Sequence, residues 1–404
     1  MAELLFLYDL LPGDDFPAAV RCVKESLAVA LALYLPLAGR LAYVAETGDV
    51  VVDYCSDSDN VGVAFVEAEA RGMDLRRLAG DEAHDVLAFH GLVPELDGRV
   101  LPAPALSVQA TRLGGGGMAL GVSVHHAAAD GHALARFLDA WASASRDEFA
   151  RERLSKQINK IPTKPQVNTR NYDFTHRFKL ARRTFYLSAD DIQCLKQRIN
   201  ELALAEAKTA GSDIVLPSYS NKPVSTFAAL SALGWTAFVH SKGLAPGEDT
   251  HLVFLVDLRE RLAPPVSDDY LGNCVRGCLA STNDAGELLG KAGFLHAARV
   301  IQAAVREMEA APLAELETWL NRVRRLPITR LANVAASPRY RVYEEADFGF
   351  GMPARMEQVS MDRDGEMLVG GKGDGEVQLS VSLHPDCMDA FKAHIHMYSC
   401  SGTR

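Results

Sequence analysis

Two adjacent imidazoles with a carboxylate four residues beyond the second, His125-His126-Ala127-Ala128-Ala129-Asp130-Gly131, offer the clearest chemistry in this chain. An imidazole at a chain corner can take a proton from a substrate hydroxyl near pH 7. The neighbouring elements would present it. Residues 118–124 alternate Leu120, Val122 and Val124 with smaller or polar residues, the pattern of a half-buried strand. Beyond the turn, Leu134, Phe137, Leu138 and Trp141 stand at helical spacing, and Asp130-Gly131 suits the N-terminal cap of that helix. His125 should face the opposite side of the strand from His126, so the two should not share one role. A buried histidine followed by a helix cap would have the same spacing, which alone therefore does not establish catalysis.

A second grouping, Asp347-Phe348-Gly349-Phe350-Gly351-Met352-Pro353, alternates two glycines with two phenylalanines. Tight backbone against packed rings is the favoured reading. A phosphate site, by analogy with the kinase Asp-Phe-Gly, lacks its accompanying glycine-rich and catalytic loops. A third grouping runs from Asp257-Leu258-Arg259-Glu260-Arg261 to Tyr270-Leu271-Gly272-Asn273-Cys274. Arg259 and Arg261 follow a buried strand, so either one meets an acid, Asp130 or Asp347, or both are solvated. Asn273 is either an amide donor near an active centre or part of a turn with Gly272. Metal binding by His125, His126 and Asp130 is disfavoured, since no further ligand cluster accompanies them. His394-x-His396 reads as surface, and no Gly-x-Ser-x-Gly elbow supports a serine hydrolase.

At 404 residues the chain exceeds one ordinary core, and two domains are expected. Apolar residues at 48% and charged residues at 23% describe a globular protein, not a disordered one. A net charge of −10 argues against nucleic acid as the main partner, and the densest basic run, 322–330, reads as a solvated helix end. The seven cysteines are irregularly spaced without a Cys-x-x-Cys pair. Neither a zinc site nor a disulfide framework is expected, and a reducing, cytoplasmic setting fits. No signal peptide or membrane span is visible; the apolar stretch 27–37 is short and interrupted by Pro36.

The elements that must position these groups alternate between helix and strand without a regular repeat, an α/β arrangement in two mixed lobes. A helix over 17–34 has Asp14 or Asp15 as cap and Pro17 in its first turn. Gly114 to Gly117 reads as a hairpin rather than a phosphate cradle. Residues 143–160 read as a charged helix, and the Pro- and Asn-bearing stretch 161–182 as an interdomain linker. Strand 183–187, a helix over 189–207 capped near Ser188, a polar loop over 209–222 and a buried helix over 224–241 follow. Strand 252–256, helices over 284–309 and 312–324, strands from 340 to 383 with a hairpin at 370–375, and a helix over 386–395 complete the reading. The expected division is a lobe over 1–160, the linker, and a lobe over 183–404.

Taken in order, the three groupings resemble the BAHD acyl-CoA-dependent acyltransferases of plants. The family hallmarks are His-x-x-x-Asp-Gly and Asp-Phe-Gly-Trp-Gly, matched here by His126 to Gly131 and by Asp347 to Gly351. Tyr270-Leu-Gly-Asn-Cys274 is similar to the Tyr-Phe-Gly-Asn-Cys motif of the clade that acylates anthocyanin and flavonoid glucosides, often from malonyl-CoA. Ser225-Thr226-Phe227 with Trp235, and Tyr34-Leu-Pro-Leu-Ala-Gly-Arg-Leu41, also resemble that clade.

The resemblance implies two chloramphenicol-acetyltransferase-like lobes with a solvent channel between them. His126 would act as general base on an acceptor hydroxyl that attacks the thioester carbonyl in a ternary complex. Asn273 would be a candidate oxyanion donor. Asp130 would hold the loop through an arginine, and Asp347, Gly349, Gly351 and Arg259 would be structural. Ser225 and Thr226 are candidates for the CoA side, and Arg136 and His132 for the carboxylate of a malonyl group. No tightly bound cofactor or metal is implied; acyl-CoA, malonyl-CoA foremost, is a co-substrate, a phenolic glucoside is the acceptor, and the protein is expected to be a monomer. Hydroxycinnamoyl or other acyl transfer to an alcohol or amine, or a non-catalytic relative that only binds, are the alternatives. Three departures stand out. Phe350 replaces the family tryptophan, the opening strand is usually preceded by a further segment, and the stretch between Trp141 and Thr184 is shorter than usual.

Overall fold

The computed structural model describes residues 1–10, 15–54, 62–80, 83–98, 100–146, 179–209, 224–337 and 339–398. Strand β1 (Ala2–Asp9) leads into helix α1 (Phe16–Leu33), then β2 (Arg40–Val44), β3 (Asp49–Asp53) and β4 (Ala64–Asp74). Short helices α2 (Leu75–Gly80) and α3 (Val86–Gly91) precede β5 (Ala103–Pro104), β6 (Leu106–Gly114), β7 (Gly117–Val124) and helix α4 (Gly131–Arg146). Next come β8 (Ala181–Leu187), α5 (Ala189–Thr209), α6 (Thr226–Lys242), β9 (Thr250–Asp257) and β10 (Val275–Thr282). Helices α7 (Gly286–Leu289), α8 (Gly293–Ala310) and α9 (Leu316–Val323) follow. Strands β11 (Leu331–Ser337), β12 (Arg355–Gln358), β13 (Glu366–Gly373) and β14 (Glu376–Leu383) then lead to helix α10 (Pro385–Tyr398).

The chain divides into two compact units, but not at a single point. Unit 1 holds Met1–Phe178, Pro264–Val275 and Tyr340–Met361; unit 2 holds Lys179–Ala263, Arg276–Arg339 and Asp362–Arg404. The expected lobe over 183–404 therefore gives up two segments, and strand pairing explains the second of them. β12 lies antiparallel to β1, with Leu7 opposite Arg355 and Leu5 opposite Glu357. Both the Tyr270–Cys274 and the Asp347–Gly351 motifs consequently fall in unit 1 with the histidine corner. The expected helix beyond Arg146, the linker up to 178 and most of the polar loop over 209–222 lie outside the described residues, and at Ala181 the chain is already strand.

Unit 1 is built on a sheet of order β12-β1-β7-β6-β4, with β4 parallel to β6 and the other neighbours antiparallel. β7 is buried on both faces, which its alternation alone did not show. Met118, Leu120, Val122 and Val124 join α1 and α4 in one core cluster, while Ala119 joins α2 and α3 in another. Gly121 lies between these on the second face because nothing larger fits: a Cβ there would stand 2.3 Å from the Leu92 carbonyl oxygen. Ser123 Oγ then donates to the Pro94 carbonyl at 2.6 Å, so residues 92–94 lie directly on the strand that ends in the histidines. Helix α1 starts as read, with the Asp15 carboxylate accepting from the Ala18 N–H at 2.6 Å.

Unit 2 carries a sheet of order β10-β9-β11-β13-β14-β8. β11 pairs parallel with both β9 and β13, although its Ala- and Asn-bearing run carries little strand signal. Conversely, 340–354, expected as strand, is turn and irregular backbone, in keeping with its glycines and Pro353. The helix expected over 284–309 breaks at Gly290, which adopts extended backbone between α7 and α8. The cap expected at Ser188 is reciprocal: Ser188 Oγ accepts from the Asp191 N–H at 3.1 Å and Asp191 accepts from the Ser188 N–H at 2.9 Å.

Helix α6 is buried along most of its length against α8 and α10, and there His394 corrects the surface reading. It is buried, 3.2 Å from Thr236 Oγ1, with its ring against those of His240 and Tyr398. Burial first, and then the His240 charge, push its pKa down to about 4 from 6.5. The unfolded chain therefore binds this proton more readily than the folded one. The stability that a neutral His394 contributes is complete above pH 6.5 and is lost as pH falls from there toward about 4. Melting temperature followed over that range should drop less steeply in His394→Gln than in the parent; parallel profiles would refute this.

Candidate active site

Strand β7 delivers the histidine corner and α4 receives it. The Ala128 N–H donates to the His125 carbonyl at 2.8 Å to close the turn, and the His125 N–H donates to the Ala105 carbonyl at 2.8 Å to anchor its start. The two rings differ in exposure. His125 is half-buried beside Gly98, where an added Cβ would stand 2.8 Å from its ring, and its Nδ1 accepts from the Ala127 N–H at 3.3 Å. His126 is exposed. Burial first, then the amino-terminal charge and His126, bring the His125 pKa down to about 4, so that ring stays neutral across the physiological range.

Asp130 is 2% exposed and serves two backbone donors. Its Oδ1 accepts from the Ala133 N–H at 2.9 Å, the expected helix cap. Its Oδ2 accepts from the Cys274 N–H at 2.8 Å, a link across 144 positions that no local pattern could reveal. One residue earlier, Asn273 Nδ2 donates to the His126 carbonyl at 2.8 Å and reaches the Ala127 carbonyl at 3.4 Å. The Tyr270–Cys274 segment thus straps the histidine turn, with the Asn273 amide aimed at backbone carbonyls rather than outward. This contact is neither the turn role nor the oxyanion donation expected of Asn273.

The Asp347–Gly351 motif is arranged for support. Asp347 Oδ1 accepts from the Gly349 N–H at 2.9 Å and the Gly351 N–H at 3.2 Å, wrapping the chain around its own carboxylate. Gly349 and Gly351 have φ of 101° and 97°, backbone that a side chain would strain. Phe348 and Phe350 turn inward, both against the Tyr8 ring, with the Phe350 centroid at 4.9 Å edge-on. Phe350 thus fills its place by packing alone. Helix α4 reads the loop through its end: Ser145 Oγ donates to the Phe348 carbonyl at 2.7 Å, and Arg146 donates to that of Asp347.

Of the remaining candidates, Arg136, His132 and Arg259 have acidic neighbours. Arg136, on α4, donates to Asp269 at 3.3 Å, and His132 Nε2 stands 4.0 Å from Asp268, with its ring edge-on to Tyr340. In unit 2, Arg259 is buried and pairs with Asp257 at 3.1 Å, while Arg261 Nη1 donates to the Asp257 carbonyl at 2.8 Å. Ser225 is the N-cap of α6, accepting from the Ala228 N–H at 3.1 Å, and Thr226 is the first residue of that helix. Among the described residues, Cys22, Cys194, Cys274, Cys278 and Cys387 are free thiols, and no cluster of three or more metal-ligating side chains occurs. No described helix is long and apolar enough to cross a membrane.

The TRI101 enzyme of F. sporotrichioides, solved with coenzyme A and T-2, superposes with a TM-score of 0.71 at 19% identity, covering 97% of this chain and 93% of that one. That likeness concerns the fold. Phenolic glucoside malonyltransferase 1 of Arabidopsis thaliana is 29% identical, covering 93% of this chain and 84% of the relative. Malonyl-CoA:anthocyanidin 5-O-glucoside-6''-O-malonyltransferase of the same plant is 30% identical, covering 91% and 85%. The model of the Transferase family matches residues 4–398, and with the motifs in place this chain belongs to that family, the BAHD acyltransferases.

Proposed function

We propose that the protein transfers a malonyl group from malonyl-CoA to a sugar hydroxyl of a phenolic glucoside, a flavonoid or anthocyanin glucoside being the expected class. The observation that carries this reading is an exposed imidazole, His126, on a turn braced by a hydrogen bond to the Ala105 carbonyl and by bonds from Asn273 and, through Asp130, from Cys274. In this scheme His126 accepts the acceptor's hydroxyl proton as the oxygen attacks the thioester carbonyl. The tetrahedral intermediate expels the CoA thiolate, which takes that proton back from the imidazolium, so no acyl-enzyme forms. Asn273 is a brace here rather than an oxyanion donor, because its amide is engaged by backbone carbonyls. Asp130 serves the loop rather than the proton.

The similarity to glucoside malonyltransferases supports the donor and acceptor. One observation favours a second reading: Arg136 and His132 already have carboxylate neighbours in Asp269 and Asp268, against which a malonyl carboxylate would compete. A donor without a free carboxylate, such as a hydroxycinnamoyl-CoA, would be indifferent to that. Thiol release from malonyl-CoA and from p-coumaroyl-CoA, each with a panel of flavonoid and anthocyanin glucosides, separates the two. Release with p-coumaroyl-CoA alone would overturn the malonyl reading. A folded protein that turns over no acyl-CoA with any acceptor would overturn catalysis altogether.

A further inference from the structure

We propose that Asn273 is a positioning residue, whose side-chain amide sets the direction in which the His126 imidazole is presented. The proposal rests on the reading of His126 as the base. The turn is closed on itself by the Ala128 N–H on the His125 carbonyl and, at 3.3 Å, by the Ala127 N–H on His125 Nδ1, so the peptide unit after His126 is held from within through its N–H and from outside through its carbonyl. Asn273 Nδ2 supplies that, at 2.8 Å from the His126 carbonyl and 3.4 Å from that of Ala127. A carbonyl's direction is the ψ angle of its residue, so a donor held on the His126 carbonyl constrains the backbone from which the imidazole projects.

The brace is itself immobilised. The next residue, Cys274, donates its N–H to Asp130 Oδ2 at 2.8 Å, and Asp130 is buried and tied to the first turn of α4. Both ends of the His126–Asp130 loop are therefore gripped by two consecutive residues of one segment, the first through a side chain and the second through backbone. A side-chain amide has two N–H donors to offer, and no other residue of similar size does. A carboxylate of the same shape would oppose oxygen to oxygen.

The test compares Asn273→Ala and Asn273→Asp with the parent in steady-state kinetics with malonyl-CoA and a turned-over glucoside. It also follows the His126 ring signals by NMR in histidine-labelled protein, assigned with His126→Ala. Expected are a fall in kcat of about 10- to 100-fold and a KM for malonyl-CoA changed by less than about threefold, since misorientation acts on the reacting geometry. The His126 ring signals should move while those of His394 stay. A kcat within about twofold of the parent in a folded variant, or unmoved His126 signals, would overturn the proposal. Should Asn273→Asp fail to fold, the neutral Asn273→Ala carries the same comparison, and loss of fold in both assigns the residue to stability and overturns positioning. The ring signals report the brace without turnover, so retained turnover in His126→Ala would sink the base reading separately.

Discussion

Replacing His126 by alanine is expected to lower kcat by about 10²–10⁴-fold, the range that a positioned general base contributes. Stability should hold, because the ring is exposed and the bonds that fix the turn run through backbone and through Asn273 and Asp130. Surface truncations of this kind usually change stability by no more than about 0.5 kcal/mol. His125→Ala is the informative contrast. That ring is half-buried beside Gly98, accepts the Ala127 N–H, and is held neutral by its burial. Its removal should lower the melting temperature and loosen the turn, with activity lost only in part. Initial rates of thiol release, alongside thermal melts of both variants, decide the matter. Unchanged turnover in His126→Ala would remove it from the mechanism, and full loss in His125→Ala with retained stability would exchange the roles.

The histidine corner was legible because each feature of it is local. Alternation in β7, helical spacing in α4 and a capping aspartate between them are patterns within about 25 residues, and each is realised. The glycine–phenylalanine motif was legible for the same reason: its carboxylate, glycines and rings satisfy one another within five positions. What the sequence withheld is non-local. Nothing near Asn273 says that its amide meets a carbonyl 147 residues away. Nothing near Met356 says that this short segment returns to pair with the first strand. A boundary drawn along the chain cannot anticipate segments that return to an earlier unit, as 264–275 and 340–361 do. His394 was misplaced because a His-x-His near a terminus carries no sign of the helix packed over it.

Away from the His126 turn, Glu357→Gln should cost several kcal/mol of stability, about 3–5. Strand β12 places Arg355 and Glu357 on one face, with side chains only 2% and 1% exposed. Glu357 Oε1 accepts from Arg355 Nε at 2.8 Å and stands 3.3 Å from His84 Nε2. The guanidinium donates also to the Leu78 carbonyl at 2.9 Å and lies over the Phe89 ring. A neutral amide at 357 leaves the Arg355 charge buried without its counter-charge, a loss of about 3–5 kcal/mol. Replacing both partners by apolar residues, Arg355→Met with Glu357→Leu, removes the charge along with its partner and should recover most of that loss. Urea midpoints at constant m-value measure both. Equal losses in the single and double variants, or a single-variant loss under about 1 kcal/mol, would show that the pair is not the anchor described. The effect should also reach the active site, because β12 borders β1, which borders β7, and it follows directly on the Asp347–Gly351 loop. At a urea concentration below the parent's midpoint, activity in Glu357→Gln should therefore fall in step with its folded fraction and not before it.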